Sequence, residues 1–525
     1  MNSPAVLHDL LDNAARDFAG APAVTADGET VSYAGLAELS RRAAAWLAGM
    51  GVRCGDRVVI AAPQRLDTVS LLYGCSRLGA VFVILHEQVR GRGLEHVLDD
   101  AEPGLAIADD PGAPAAGKAR GIPVVTSDVA ARGVTGARAD GPPGAAGHPR
   151  RPGHAGPDGT ATTAGHPGPL AVDPVCFIYT SGSTGLPKAV VCTHGQVLYA
   201  AQAIQSQLRY GPGDVVFVVP PLSFDYGLYQ LFLAAQGGAH VVLAATSAGP
   251  SLLRDLRRSA ATVLPALPSL AANLARMLDR HGGTLGLRLL TNTGAVMSPD
   301  VLTALRSHLP VLRVQLMFGL TECKRVSIMP PDEDLVRPGA CGRALPGTTI
   351  EIQGEDGRPM PAGQVGEIVV RGPHVMSGYW RRPELTARRF RRREGLFAEL
   401  HTGDYGRLDE DGYLYFSGRR DDIYKSRGFR VSGTEIEASA VRLGGVAGAV
   451  LVPPGPGRPS AVLFVAGPLT PRQVLSELRA DIEPYKVPEH CVVIPALPLN
   501  ANGKPDRAAL ERDAAVHLND RAVDV

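Results

Sequence analysis

Residues Tyr179 to Val190 read YTSGSTGLPKAV, where an apolar strand runs into six consecutive Thr, Ser and Gly residues. Beyond this loop, Pro187 and Lys188 precede a second β-branched stretch. Backbone amides in such a loop can bind phosphate oxygens, hydroxyls add donors, and Lys188 supplies positive charge. The segment lacks the Walker pattern, because Lys188 has neither a Gly before it nor a Ser or Thr after it, and the loop leads into a strand. Taken alone, the loop fits a flexible Ser/Gly linker equally well.

The middle of the chain alternates between two kinds of pattern. Apolar, β-branched runs such as VCFIYT, DVVFVVP and LRLLTN are separated by helical patterns. That alternation predicts α/β layers around a mostly parallel sheet, with ligands bound outside the carboxyl ends of the strands. From Ile350, short strands with turn signals predict an antiparallel subdomain, and a helix near Thr434 belongs to a small α+β unit. We therefore expect an N-terminal core of residues 1–420 and a C-terminal domain of residues 421–525.

The composition narrows the class of protein. The 525 residues are 45% hydrophobic and 20% charged, with a formal net charge of +1. This balance offers no basic footprint for nucleic acid or for a membrane surface. The seven cysteines include no C-x-x-C pair, which argues against a disulfide framework and a structural zinc site. With no secretion signal and no apolar run of about 20 residues, we expect a soluble, cytoplasmic protein.

Residues 109–168 differ from the rest of the chain in composition. They are rich in Gly, Pro and Ala and lack the apolar periodicity that would hold a core. We expect a low-complexity surface insert that is largely disordered. Its histidines (His148, His154 and His166) are widely spaced without Cys or carboxylate neighbours, which favours a linker over a metal site.

Further motifs follow the loop in order. They are FGLTE at 318–322, HTGD at 401–404, GRRDDIYKSRGFRV at 418–431 and NANGKPDR at 500–507. Together with the loop they resemble the signature motifs of the adenylate-forming superfamily, which includes acyl-CoA synthetases, peptide-synthetase adenylation domains and luciferase-like enzymes. RLGAVFVIL, at 77–85, weakly resembles an upstream structural motif of that family. Ala189 in place of Gly and Phe318 in place of Tyr depart from the usual pattern, but neither change removes a catalytic group.

The resemblance implies a role for each matching residue in binding ATP or AMP. The loop would bind the β- and γ-phosphates through Thr180, Ser181, Gly182, Ser183, Thr184, Gly185 and Lys188. Thr321 would contact the α-phosphate, and Glu322 would hold Mg²⁺, since a hard cation prefers carboxylate oxygen. The adenine and ribose contacts would come from Gly294, Ala295, Phe318, Asp404 and Arg419.

The same resemblance assigns the catalytic and hinge residues. Lys504 would act in catalysis together with Thr321 and Glu322. In the family this lysine enters the site on the mobile C-terminal domain and bridges the substrate carboxylate and the α-phosphate, stabilising charge as pyrophosphate leaves. Asp421 matches the hinge about which that domain rotates between adenylation and thiol transfer.

The acyl-binding region is indicated by Phe224 and Asp225, within PPLSFDYGLYQL. This pair resembles the peptide-synthetase pattern in which the Asp pairs with the ammonium group of the substrate, and it implies an amino-bearing acid. Arg325 falls at a position that lines the acyl pocket in amino-acid-activating relatives. With Lys324 beside it, Arg325 would either neutralise Asp225 or bind a second acidic group. A structural ion pair between Asp225 and Arg325, with a neutral acyl or aryl substrate, stays open as the alternative.

The leading hypothesis is a ligase that uses ATP and Mg²⁺ to adenylate a carboxylic acid and passes the acyl group to a phosphopantetheine thiol. The pattern is closest to stand-alone amino-acid and acyl adenylating ligases. No carrier domain is recognisable in the chain, so a carrier protein would act in trans, and free CoA is the alternative acceptor. Two further alternatives are capture of the adenylate by an amine or other non-thiol nucleophile, and nucleotide binding without catalysis. The last is the poorest, because Lys504, Glu322 and the phosphate loop are all present.

Overall fold

A computed structural model of the chain describes residues 4–137, 168–180, 187–244, 251–294, 296–393, 397–419, 423–426, 429–455, 458, 460–482, 486–500 and 503–522. The helices are α1 Leu7–Asp17, α2 Tyr33–Gly49, α3 Leu66–Leu78, α4 Gly91–Ala101, α5 Ala113–Arg120, α6 Ser127–Gly136, α7 His194–Leu208, α8 Asp225–Gly237, α9 Leu252–Arg258, α10 Pro268–His281, α11 Pro299–His308, α12 Pro383–Arg389, α13 Gly433–Val441, α14 Pro471–Asp481 and α15 Arg507–Ala522, with a 3₁₀ helix at Glu333–Leu335. The strands are β1 Pro22–Ala26, β2 Glu29–Ser32, β3 Arg57–Ala61, β4 Val81–Leu85, β5 Leu105–Ala108, β6 Val124–Val125, β7 Pro174–Thr180, β8 Lys188–Thr193, β9 Val215–Val218, β10 His240–Leu243, β11 Val263–Ala266, β12 Leu289–Asn292, β13 Arg313–Phe318, β14 Ser327–Ile328, β15 Arg343–Ala344, β16 Thr349–Gln353, β17 Gly366–Arg371, β18 Gly378–Tyr379, β19 Phe390–Arg393, β20 Phe397–Leu408, β21 Leu414–Arg419, β22 Ile423–Ser426, β23 Phe429–Ser432, β24 Gly448–Val452, β25 Val462–Ala466 and β26 His490–Ile494. None of the helices in the described ranges has both the length and the apolar character needed to cross a membrane.

The chain divides into two compact units, neither of which is continuous in sequence. The first consists of Met1–Ser247, Thr321–Lys324 and Pro373–Ala387. The second consists of Ala248–Leu320, Arg325–Gly372 and Arg388–Val525. The expected domain boundary falls at residues 420–422, which lie outside the described residues, so that boundary stays a prediction.

The first unit contains a seven-stranded sheet in the order β18-β8-β7-β4-β3-β5-β6. Its central strands are parallel, with β3 between β4 and β5 and with β4 next to β7, whereas β7 and β8 form an antiparallel hairpin. The sequences VVIA in β3 and VFVIL in β4 are completely buried, as expected for parallel strands that are covered on both faces. A second group pairs in the order β9-β10-β1-β2 and is parallel except for the β1–β2 hairpin.

The first part of the expected insert is ordered, contrary to the expectation from composition. Residues 113–136 form α5, β6 and α6. Their buried apolar side chains include Ala113, Ile122, Ala130 and Val134. The small residues serve close packing here, since a Cβ on Gly133 would collide with the Trp46 ring. A composition rich in Gly and Ala therefore does not distinguish a loose insert from tightly packed helices, and the remaining residues, 138–167, lie outside the described residues.

The second unit begins with the parallel strands β11, β12 and β13, to which β14 and β15 add antiparallel pairs. After Ile350 the sheet is antiparallel, as predicted: β16, β17, β20 and β19 pair in this order, and β21 pairs with β20. Further along, β22 and β23 form a hairpin, and β25 lies between β24 and β26, with α13 against β24 and α14 against β26. The helix predicted near Thr434 is α13. These layers confirm the predicted α/β fold class with an antiparallel subdomain and a small α+β region.

Candidate active site

The predicted phosphate loop connects β7 to β8. The two strands are antiparallel, and Thr180 and Lys188 are the last pair of partners before the loop. Ser181, Gly182, Ser183, Thr184 and Gly185 lie outside the described residues. The Thr180 Oγ1 is buried and has no hydrogen-bond partner among the residues that the structure describes. Buried polar atoms are nearly always satisfied, so this hydroxyl is suited to a ligand oxygen.

A tyrosine links two of the predicted site residues. Glu322 is 6% exposed, and its Oε1 accepts a hydrogen bond from the Tyr379 hydroxyl at 2.6 Å. The Lys188 Nζ lies 4.3 Å from the centroid of the same tyrosine ring. Thr321, next to Glu322 in the chain, is half-buried. No motif singles out Tyr379, which lies on the two-residue strand β18, so reasoning from the sequence missed it.

The predicted adenine-binding residues lie at the carboxyl ends of neighbouring parallel strands. Gly294 follows β12, and Phe318 is the last residue of β13. The Phe318 ring centroid lies 5.5 Å from that of Phe416, while Ala295 lies outside the described residues. Beside Gly294, the Thr293 Oγ1 is buried and lacks a hydrogen-bond partner within the described part of the chain. Thr293 is a second polar group that the motifs did not identify.

The two predicted ribose-binding residues, Asp404 and Arg419, are brought together. They are cross-strand partners in β20 and β21, and the Arg419 Nε donates to the Asp404 Oδ1 at 3.1 Å. The irregular part of β20 before Asp404 is held by Glu367, which accepts from the Gly403 N–H at 3.0 Å and contacts the His401 Nδ1 at 3.1 Å. Burial alone would raise the pKa of Glu367, but these two bonds outweigh burial and lower it. Glu367 is therefore ionised, and it stabilises the part of β20 that contains Asp404.

The predicted acyl-binding region holds a buried carboxylate and a buried ammonium group in the first unit. Asp225 begins α8 directly after Phe224 and is 3% exposed. Lys324 is fully buried, with its Nζ 5.7 Å from the centroid of the Tyr229 ring. Burial would lower the pKa of Lys324, but the neighbouring Cys192 thiol and Asp225 carboxylate raise it. Lys324 is therefore a cation, and Asp225 is one of the groups that favour its charge.

Arg325 and Lys504 belong to the second unit. Arg325 is 4% exposed. Lys504 is half-buried in a tight turn with Asn500, whose N–H donates to the Lys504 carbonyl at 2.7 Å and whose Oδ1 accepts from the Lys504 N–H at 3.1 Å. The predicted hinge residue Asp421 lies outside the described residues. The roles of Lys504 and Asp421 stay predictions.

The chemistry of these groups suits a nucleotide with a divalent cation. In the first unit, the Thr180 hydroxyl and the Lys188 ammonium group flank the loop, and the Glu322 carboxylate offers the oxygen ligand that Mg²⁺ prefers. In the second unit, the Phe318 ring lies at the end of β13, and the Asp404 carboxylate lies within β20 opposite Arg419. The groups of the first unit suit phosphate oxygens and a divalent cation, and those of the second suit an aromatic base and sugar hydroxyls.

Comparison with known proteins identifies the family. Residues 11–380, more than half of the chain, match the family described as AMP-binding enzyme. The L-proline–[L-prolyl-carrier protein] ligase of Pseudomonas fluorescens is 29% identical, with 97% of this chain and 99% of the relative covered. A 3-hydroxybenzoate–CoA ligase of Aromatoleum is also 29% identical, with 93% of each chain covered. The probable non-canonical nonribosomal peptide synthetase CymA of Salinispora arenicola is 31% identical over 92% of this chain, which spans 6% of the length of CymA.

Solved structures share the fold of this chain. The crystal structure of VinN is 39% identical with a TM-score of 0.69, covering 80% of this chain and 100% of VinN. A complex of VinN with L-aspartate matches at the same 39% identity with a TM-score of 0.67, covering 79% of this chain and 98% of VinN. The chain therefore belongs to the AMP-binding enzyme family of the adenylate-forming superfamily, and it is an AMP-forming acid–thiol ligase that uses ATP.

Proposed function

We propose that the protein adenylates an amino-bearing carboxylic acid and transfers the acyl group to the phosphopantetheine thiol of a separate carrier protein. The observation that carries this proposal is Asp225, a carboxylate that is 3% exposed at the start of α8. A carboxylate at this position can accept hydrogen bonds from an ammonium group. An ammonium group on the substrate would bind to Asp225, which would fix the orientation of the acid.

The first half-reaction would join the acid to AMP. A carboxylate oxygen of the substrate attacks the α-phosphorus of ATP, the bond from that phosphorus to the bridging oxygen breaks, and pyrophosphate leaves. Thr180 and Lys188 would hold the departing phosphates, and Thr321 would contact the α-phosphate. Lys504 would stabilise the negative charge that grows in the transition state. In the second half-reaction the thiol sulfur attacks the acyl carbonyl carbon, the thiol proton is lost and AMP leaves.

Magnesium fits the oxygen chemistry of the site. Glu322 presents a nearly buried carboxylate whose Oε1 is oriented by the Tyr379 hydroxyl. Such a carboxylate, together with phosphate oxygens, is the usual ligand set for Mg²⁺ in nucleotide sites. When bound, Mg²⁺ would neutralise part of the phosphate charge. Glu322 would hold it against the nucleotide.

Lys324 favours a substrate with a second acidic group. Its buried ammonium group lies close enough to Asp225 for that carboxylate to raise the pKa of Lys324, so charges of both signs occur together. An acid with an ammonium group and an additional carboxylate would match both charges. The solved complex of VinN, at 39% identity, with L-aspartate supports this class of substrate. The alternative is that Asp225 pairs with Lys324 or Arg325 inside the protein and that the substrate is a neutral acyl or aryl acid.

The acceptor thiol separates the two candidate functions. The L-prolyl-carrier protein ligase among the relatives supports a carrier protein, whereas the 3-hydroxybenzoate–CoA ligase supports free CoA, which we keep as the second candidate. Capture of the adenylate by an amine, and nucleotide binding without catalysis, rank below both. A reducing, cytoplasmic location is part of the proposal, and all seven cysteines are free thiols in the structure.

Exchange of labelled pyrophosphate into ATP tests the adenylation step. The panel contains amino acids, amino dicarboxylic acids and the matching acids without the amino group. We expect exchange with an amino-bearing acid and far less with its des-amino partner. Exchange confined to aryl or fatty acids would contradict the amino-acid assignment, and silence across the whole panel would favour the non-catalytic alternative.

Intact-protein mass spectrometry then tests the acceptor. Phosphopantetheinylated carrier proteins are incubated with the enzyme, ATP, Mg²⁺ and the preferred acid, with free CoA as a competitor. An increase in carrier mass equal to the acyl group supports the proposal. Rapid turnover with free CoA and unmodified carriers would make the protein a CoA ligase.

A further inference from the structure

We propose that Tyr379 is a positioning residue for the nucleotide and its metal: its hydroxyl orients Glu322 for Mg²⁺, and its ring holds the Lys188 ammonium group at the end of the phosphate loop. This inference rests on the proposed use of ATP with Mg²⁺ at this site. No signature motif identified in the sequence includes Tyr379. The assignment of Tyr379 therefore rests on its contacts with Glu322 and Lys188 and not on a sequence pattern.

The backbone of Tyr379 is held from two sides. Strand β18 pairs with β8, which places Gly378 opposite Val191 and Tyr379 opposite Val190. From the other side, the Tyr379 N–H donates to the Thr386 Oγ1 at 2.9 Å. Gly378 has a φ of +119°, and a Cβ there would collide with the Thr386 side chain, so only glycine allows this approach. These contacts fix the backbone from which the Tyr379 ring projects. Strand β8, which pairs with this backbone, also begins with Lys188.

The Tyr379 hydroxyl makes a short hydrogen bond to the carboxylate of Glu322. The distance of 2.6 Å to the Glu322 Oε1 lies in the short range expected for O–H···O⁻ bonds. Tyr379 is 5% exposed and Glu322 is 6% exposed, so water competes little for this bond. The Glu322 backbone is also tied to this segment, because its carbonyl accepts from the Met376 N–H at 2.9 Å. A carboxylate offers about four lone-pair positions, so one such bond orients the group and leaves capacity for a metal ion.

The ring makes a separate contact to the phosphate-binding lysine. The Lys188 Nζ lies 4.3 Å from the ring centroid, within the range of a cation–π interaction. This contact depends on the aromatic face and not on the hydroxyl. Phenylalanine at position 379 would keep it and lose only the bond to Glu322, whereas leucine would lose both. The two parts of the proposal can therefore be tested one at a time.

The test compares Tyr379→Phe and Tyr379→Leu with the wild-type protein by titration calorimetry of ATP, with and without Mg²⁺, and by the electron paramagnetic resonance of bound Mn²⁺. Loss of an outer hydrogen bond to a metal ligand commonly weakens metal affinity by about 10- to 100-fold. We expect Tyr379→Phe to weaken Mn²⁺ and Mg²⁺ binding in the ATP complex by about tenfold, with metal-free ATP affinity unchanged. Tyr379→Leu should in addition weaken metal-free ATP binding several-fold, because Lys188 loses its cation–π contact with the aromatic ring.

A matched control is Tyr210→Phe. Tyr210 is 3% exposed in the same unit, and its hydroxyl donates to the Gln230 Oε1 at 2.9 Å, so the variant loses a similar buried bond elsewhere. It should leave both metal and ATP affinities unchanged. Equal metal dependence in Tyr379→Phe and wild type, or an equal loss of ATP affinity with and without metal, would overturn the positioning role. Absence of any metal-dependent ATP binding by the wild-type protein would instead overturn the proposed function itself.

Discussion

Asp404 and Arg419 face each other across the antiparallel strands β20 and β21, and the Arg419 Nε donates to the Asp404 Oδ1 at 3.1 Å. Asp404 is 6% exposed, whereas the side chain of Arg419 is 60% exposed. The guanidinium group thus lies between a nearly buried carboxylate and solvent. A ribose that binds here would meet a carboxylate whose orientation is already set, which reduces the entropy lost on binding.

Asp404→Ala should weaken ATP binding by about 10- to 100-fold. Hydrogen bonds to a charged group contribute about 1.5–3 kcal/mol, and the carboxylate would accept such bonds from the ribose hydroxyls. Titration calorimetry of ATP measures the change. Asp409→Ala is the control, since Asp409 also pairs with an arginine, Arg337, at 2.9 Å but lies outside the motif. Unchanged ATP affinity in Asp404→Ala would remove Asp404 from the nucleotide site.

Lys504→Ala should lower adenylate formation by about a hundredfold or more, because a preorganised charge in the transition state contributes about 3 kcal/mol. Transfer from a preformed acyl adenylate should remain largely intact, since that step does not involve pyrophosphate. Pyrophosphate exchange measures the first step, and single-turnover transfer from synthetic acyl-AMP measures the second. Lys118→Ala, an exposed lysine in α5, is the control. An equal loss in both half-reactions would contradict a role confined to adenylation.

Deletion of residues 138–167 should leave folding and adenylation nearly unchanged, because shortening a low-complexity segment costs little free energy. Deletion of residues 113–136 should instead destabilise the first unit strongly, since it removes buried side chains such as Ile122 and Val134. Thermal unfolding and pyrophosphate exchange compare the two variants. A large drop in melting temperature after the first deletion would show that residues 138–167 pack against the fold.

Local patterns were sufficient to predict a strand on each side of the phosphate loop, the antiparallel region after Ile350 and the helix near Thr434. Each of these depends on alternation or turn residues within a few positions. The helices and strand formed by residues 113–136 could not be predicted from such local patterns. Their small residues pack against residues that are distant in sequence, such as Trp46. The composition of a segment does not indicate such contacts.

In the candidate site as well, residues within contiguous motifs could be predicted from the sequence, whereas contacts between remote segments could not. Resemblance to the family was sufficient to name Glu322, Asp404 and Arg419, because their motifs are contiguous in sequence. It could not reveal Tyr379, since this residue lies 57 positions from Glu322 and reaches it only through the pairing of β18 with β8. The contact of Lys324 with the Tyr229 ring likewise joins segments that are remote in sequence.

Acid should destabilise the docking of α1 through His194. The His194 Nδ1 accepts a hydrogen bond from the Leu7 N–H at 2.9 Å, and burial, with a smaller contribution from His8, lowers the pKa of His194 to about 4. The unfolded chain takes up this proton near pH 6.5, whereas the folded protein stays neutral at this position until about pH 4. The contribution of His194 to the free energy of unfolding is therefore complete above pH 6.5. It falls by up to roughly 3 kcal/mol as the pH decreases to about 4.

Urea unfolding at several pH values between about 7.5 and 4 measures this loss. His194→Asn is the comparison, because the Asn Oδ1 can accept the same N–H but does not titrate. The variant should lose less stability than the wild-type protein over this range. Parallel losses in the two proteins would assign the acid sensitivity to other groups.

Asp225→Ala should remove the preference for an amino-bearing acid. If Asp225 pairs with the substrate ammonium group, the wild-type protein should reject the matching des-amino acid by about 10⁴-fold in kcat/KM, because a site built to bind an ammonium group loses that interaction with the des-amino acid. Truncating one partner of a buried pair costs about 3–5 kcal/mol, so the variant should lose at least a hundredfold in kcat/KM for the amino acid.

The diagnostic quantity is the ratio of kcat/KM for the two acids, because a general loss of stability would lower both values together. In Asp225→Ala the des-amino acid should be used as well as, or better than, the amino acid, since the carboxylate that excluded it is gone. Asp214→Asn is the control: Asp214 is 6% exposed in the same unit and accepts from the Gly211 N–H at 2.8 Å, outside the acyl-binding region. That variant should keep the wild-type ratio. A ratio in Asp225→Ala within a few fold of the wild-type value would mean that Asp225 is neutralised inside the protein, and an acyl or aryl acid would then be the better substrate.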